Sequence, residues 1–150
     1  MAYIDSRVGS ATATALGVRH NKWNFCRTYR IDCATSNLGA GEINYFMTVP
    51  AGTVIEGVLA DVVTVEDSTL TFHVGDFSAI ASATTAAGYI NGANGETASL
   101  YLLSHNNGES YAAGKAYLTA SILGFTAVNA ADTAVIDVTV FGWTVPPYNA

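Results

Sequence analysis

The feature that most constrains the fold is a succession of short runs rich in Val, Ile, Thr, Phe and Tyr, each closed by Gly, Pro, Asn or Asp. β-branched and aromatic side chains suit a pleated, half-buried surface. Alternation with a period of two then sets one face of the run in a core and the other in water. The clearest run is Val135 to Val140, where Ile136, Val138 and Val140 share one face and Asp137 and Thr139 the other. Leu70, Phe72 and Val74 do the same in a run expected to end at Gly75-Asp76. Trp23 to Cys33, Glu42 to Val49, Val54 to Val65 and Ser99 to Leu103 read as further strands. So does Lys115 to Phe125, with Tyr117, Thr119, Ser121 and Leu123 on one side. In the Val54–Val65 run, Glu56, Gly57 and Asp61 interrupt the alternation, as expected of a strand partly buried on both faces or carrying a bulge. Pro50-Ala51-Gly52-Thr53 and Asn106-Asn107-Gly108 read as turns, and Glu66-Asp67-Ser68-Thr69 as a solvated hairpin turn. Asn91 to Gly95 reads as a loop, and residues 78–87 leave room for a helical turn. Pro146-Pro147 closes the fold, since proline cannot continue a ladder.

Short strands separated by turns define an all-β chain folded as a single β-sandwich, jelly-roll or Greek-key-like. A chain of 150 residues is the size of one domain. It buries roughly 70% of its unfolded surface, enough for a core without metal or disulfide staples. Residues 1–22 are rich in Ala, Thr, Ser and Gly and lack a clean period; they read as an extended N-terminal arm or lead-in. That leaves residues 23–150 as the sandwich domain.

Charge narrows the function. Only 12% of residues are charged, about half the usual ~25%. A weakly charged surface rich in small residues is better suited to meeting protein than to keeping monomers apart. The charge is also uneven. Residues 1–30 hold Arg7, Arg19, Lys22, Arg27 and Arg30 against Asp5, a net of +4, while residues 31–150 hold Lys115 against eleven acids, a net of −10. Such a basic segment either reaches an acidic neighbour or folds back on the chain's own acidic body. Nucleic acid is not the expected partner: five cations over 30 residues are sparse, and the acidic body repels phosphates. No apolar run approaches the ~18 residues of a spanning helix. The start Met1-Ala2-Tyr3-Ile4-Asp5-Ser6-Arg7 lacks the pattern of a secretion signal, so synthesis in a cytoplasm is expected. There Cys26 and Cys33 would be free thiols.

Residues able to carry chemistry do not cluster in the sequence. His20, His73 and His105 are far apart and fit no metal spacing, and His73 reads as a surface histidine. No nucleophile elbow or phosphate loop is present. Glu66-Asp67 could join Asp76 around a calcium ion, but a solvated turn is the simpler reading. Tyr89, Tyr101, Tyr111 and Tyr117 could line a sugar-binding groove, although tyrosine is equally at home in protein interfaces. We therefore expect no catalytic activity, no cofactor and no metal.

The run Thr48-Val49-Pro50-Ala51-Gly52-Thr53-Val54-Ile55-Glu56-Gly57-Val58, continuing Leu59-Ala60-Asp61-Val62-Val63-Thr64-Val65, resembles a pattern in small structural proteins of tailed bacteriophages. In that pattern a later strand ends in Gly-Asp, as Phe72-His73-Val74-Gly75-Asp76 does. A Tyr-bearing loop and a closing Val/Thr strand follow, as at Gly88-Tyr89 and Ala134 to Val140. The resemblance spans roughly residues 42–145 and implies a head decoration, or capsid cement, protein. It implies a homotrimeric β-sandwich on the capsid exterior of the virion, stabilising the shell by binding between major capsid protein subunits. The family offers no fixed contact motif. Arg7, Arg19, Lys22, Arg27 and Arg30 are the candidate partner-binding residues on charge alone. A phage tail or receptor-binding module with carbohydrate affinity is the alternative.

Overall fold

The structure, a computed structural model, describes residues 23–78, 85–102, Tyr111 and 114–145. Nine strands are present among these residues: β1 (Trp23–Asp32), β2 (Ile43–Val49), β3 (Thr53–Thr64), β4 (Thr71–Phe77), β5 (Thr85–Asn94), β6 (Leu100–Leu102), β7 (Lys115–Tyr117), β8 (Ser121–Ala127) and β9 (Val135–Thr144). No helix among the described residues is long and apolar enough to cross a membrane.

The strands form two sheets. One runs β1-β9-β3, with β6 and β7 sharing the far flank of β3; the other runs β2-β8-β4-β5. Every pairing is antiparallel, and the pairings nest: β4 with β5, β3 with β6 and β7, β2 with β8, β1 with β9. Nested pairing of this kind is one long ribbon rolled up across two sheets, which is a jelly roll. The all-β sandwich expected from the strand pattern is thus present, in its jelly-roll form.

Alternation accounts for the core. Ile136, Val138 and Val140 of β9 point inward beside Val58, Ala60 and Val62 of β3, all nearly free of solvent contact. From the other sheet Phe72 stacks on Phe125 with ring centroids 5.0 Å apart. The interruption at Glu56-Gly57 is a bulge: the register against β9 slips between Ile55 and Gly57. Glu56 turns to solvent and Val58 returns to the core. At the Pro50–Thr53 turn, Gly52 takes a φ of +84°, a conformation open mainly to glycine. Its N–H donates to the Tyr117 carbonyl, and its own carbonyl accepts from Val145 N–H.

Several local expectations are corrected. Glu66 to Thr69 is not a hairpin turn, because β3 and β4 belong to different sheets and the segment crosses between them. Gly75-Asp76 does not end β4; the strand continues to Phe77. Gly75 lets β5 approach, since a Cβ there would run into the carbonyl of Thr85. Lys115 to Phe125 is two strands, divided at residues 118–120 and placed in opposite sheets. Asn91 to Asn94 is strand rather than loop, with Gly92 at φ +69° where the register shifts. Thr85 to Ala87 are also strand; the rest of the expected helical turn at 79–84 lies outside the described residues.

Candidate functional site

The basic residues separate. Arg7, Arg19 and Lys22 lie outside the described residues. Arg27 and Arg30 both lie on β1, three residues apart, so the strand's alternation sends them to opposite faces. Arg30 sits directly across from Asp137 of β9. Its Nε and Nη2 donate to the two carboxylate oxygens at 2.8 and 2.7 Å. That fork holds the Asp137 carboxyl below its ordinary range and the Arg30 guanidinium above its own. Arg30 thus folds back on the chain's own acidic body. Arg27 instead faces the neighbouring sheet, is exposed, and has no ion-pair partner among the described residues.

Among the described residues, the sandwich is open around Arg27. β1 and β2 are the edge strands of their sheets, and Tyr29 packs on Phe46 between them at 5.2 Å. Beyond that contact lies a cleft of about 230 Å³ lined by Trp23, Phe25, Arg27, Met47 and Pro50. Trp23 is 64% exposed although its strand position faces inward.

The outer face of the five-stranded sheet is also apolar at one end. Register places Val54 beside Trp143, Gly57 beside Phe141 and Leu59 beside Thr139. Phe141 lies over Gly57, where a Cβ would meet its ring. The other end of this face is polar, with Asp61 across from Asp137 and its Arg30 partner. The apolar side chains Val54, Leu59, Phe141 and Trp143 on this face are partly buried.

Two polar clusters escaped sequence reasoning. In the first, Asp76 accepts from the Tyr111 hydroxyl at 2.8 Å and from the Lys115 ammonium. Lys115 also donates to Tyr111 at 2.7 Å and lies over the Tyr111 and Tyr117 rings. Tyr89 and Tyr117 share a hydroxyl–hydroxyl bond of 2.8 Å in the core. Burial lowers the lysine's proton affinity, but its bonds to Asp76 and Tyr111 outweigh that and leave it raised. Burial pushes the Tyr89 and Tyr117 hydroxyls far up. The cluster keeps Lys115 cationic and fastens β4 to β7. Its only sequence signal was that Lys115 is the one cation after residue 30. Because Tyr89 and Tyr117 are core residues and Tyr111 packs on Tyr89 at 5.0 Å, these three do not present an open aromatic groove.

In the second cluster, Glu66 is buried rather than solvated. Its carboxylate accepts the backbone N–H groups of Asp132, Thr133 and Ala134 and the Ser68 hydroxyl. Burial raises its proton affinity, but the three N–H bonds overcome this and hold the carboxyl below the usual range. Asp132, not Asp76, completes an acidic trio with Glu66 and Asp67, within 4.8 Å of one another. The Glu66 oxygens are already engaged by N–H donors, so the trio is accounted for by loop anchoring. His73 is half-buried and accepts the Gly92 N–H at Nδ1, and burial lowers its pKa. Cys26 is an exposed free thiol and Cys33 a buried one.

No protein-family model matches the sequence, and no curated protein matches it. In shape the chain is similar to one in the solved structure titled "Capsid of Ralstonia phage GP4". The TM-score is 0.60 over 84% of this chain and 86% of that one, at 14% identity. The jelly roll is shared with a chain of a phage capsid.

Proposed function

We propose that this protein is a structural component of a phage virion: a decoration protein on the capsid exterior. It binds as a homotrimer where major capsid protein subunits meet. It is made in the host cytoplasm and added to the shell without catalysis. The observation that carries this reading is the jelly roll shared with a phage-capsid chain. The weakly charged composition and the apolar patch at Val54, Phe141 and Trp143 support it.

The mechanism is physical. A trimer on a symmetric shell gains avidity, because each contact after the first forms at high effective concentration. A protein that binds only the expanded shell stabilises that state by mass action. Light scattering coupled to size exclusion is expected to give three times the 15.6 kDa chain mass. Co-sedimentation is expected with expanded shells and not with unexpanded ones. A monomer at high concentration that sediments with neither shell overturns the proposal.

A further inference from the structure

Three of the flanks that the two sheets leave open are blunted. β2 bulges between Tyr45 and Met47. β5 shifts register twice against β4. The far flank of β3 carries only the three-residue strands β6 and β7. Bulges and short strands are two of the devices by which sheets avoid pairing with foreign strands. β1 has neither; its guard is the inward-facing charge of Arg27, which a carboxylate on an added strand would match. The ten residues of β1 pair with β9 without a slip, contain no Pro or Gly, and have no second partner strand among the described residues.

The side chains of β1 fit a missing neighbour. Phe25 and Tyr29 face inward yet are only partly buried, and Trp23 is exposed; no strand beyond β1 covers them among the described residues. Arg27 stands in the middle of this row at the cleft, its charge unmatched among the described residues. A strand added ~4.8 Å beyond β1 would lay alternate side chains over that cleft, one of them opposite Arg27.

We propose that β1 is a strand-addition site for an extended segment of the shell protein, in which apolar residues alternate with polar ones and an Asp or Glu meets Arg27. This rests on the decoration reading and names its mode of contact: main-chain hydrogen bonds hold the strand, and the cleft and Arg27 select it. Charge picks the occupant. Residues 1–22 carry Arg7, Arg19 and Lys22 against Asp5, and a second β1 would bring Arg27 and Arg30 against Asp32. Both are net basic, whereas an acidic strand is the complement.

The test pans a displayed library of random ten-residue peptides on the full-length protein and follows β1 amide exchange by NMR. Selected peptides are expected to alternate apolar residues and to carry a carboxylate. Binding should weaken about tenfold or more in Arg27→Glu and be kept in Arg27→Lys and Arg30→Ala. Every second amide of β1, those turned away from β9, should exchange fast in the free protein and slowly with peptide. Selection indifferent to charge, unchanged binding to Arg27→Glu, or protection elsewhere overturns the proposal. So does an edge already protected in the free protein, since a monomer would then mean residues 1–22 and an oligomer a second copy. Wild-type protein that captures such peptides but fails to sediment with shells would sink the decoration reading and the shell protein as occupant, and leave strand addition at β1 standing. Shell binding that survives Arg27→Glu would sink strand addition alone.

Discussion

Replacing Glu66 by Ala removes the acceptor that ties the β3–β4 crossover to the loop before β9. Its carboxylate takes N–H bonds from Ala134 at 2.9 Å, Thr133 at 3.1 Å and Asp132 at 3.2 Å. A buried donor left without a partner costs roughly 1–3 kcal/mol. Ala134 is fully buried, so the upper part of that range applies there. The Asp132 and Thr133 amides can turn to water, which lowers their share to about 1 kcal/mol each. The expected loss is about 4–5 kcal/mol, a large part of the roughly 5–15 kcal/mol that holds a domain together. Urea unfolding followed by the fluorescence of Trp23 and Trp143 should show a lower midpoint with an unchanged slope.

Glu66→Gln keeps the volume and isolates the charge. A carboxyl whose folded pKa is lowered adds stability above its unfolded value of about 4.3 and loses it as pH falls through the folded value. The gap between wild type and Glu66→Gln should therefore be full at pH 7 and close below about pH 4. Asp67→Ala, exposed in the same segment, should change stability by no more than about 0.5 kcal/mol. A loss under about 1 kcal/mol from Glu66→Ala, or an equal loss from Asp67→Ala, would refute the anchoring argument.

Two further outcomes are expected. Lys115→Met keeps the apolar stem but leaves the buried Asp76 carboxylate without its cation. The loss in urea melts should be about 2–3 kcal/mol, below the usual 3–5 for a broken buried pair, because the lysine side chain is 29% exposed. Since the folded pKa of Lys115 is raised, this contribution is present below the ordinary lysine value of about 10.4 and fades only as pH rises through the folded one. Equal stability of variant and wild type at pH 7 would show that the cluster is not a fastening. For the cysteines, burial above all pushes the Cys33 thiol to about 11, while Cys26 is exposed. A thiol reagent at pH 8 should label one thiol quickly and the second only in urea; two fast thiols would contradict the placement of Cys33.

Much of the fold was legible because its signals are short-range. Ile136, Val138 and Val140 needed only the pleat to declare their face, and Glu56-Gly57 broke the pattern in a way that fitted either burial on both faces or the bulge that the register shows. Lys115 to Phe125 misled because its alternation runs on through residues 118–120, where the chain leaves one sheet for the other. Glu66 misled because Glu-Asp-Ser-Thr has turn composition, and nothing in it reveals three amides waiting 66 to 68 residues away. The basic segment was legible as charge but not as geometry. Arg30 and Asp137 meet across 107 residues of chain, while Arg27, three residues from Arg30, faces the opposite side.

By itself the sequence determined the class of structure: strands, turns and a sandwich, with few charged residues among them. These follow from side-chain period and composition, which act within a few residues. The tertiary structure alone decided which strands pair and which edges stay open. It also decided which charges are matched inside the fold. Those depend on nested pairing that brings β1 to β9 and β3 to β7, and the free energy of such long-range contacts appears in no local pattern. Among the described residues, the open edge at β1 and the unmatched Arg27 are products of that nesting.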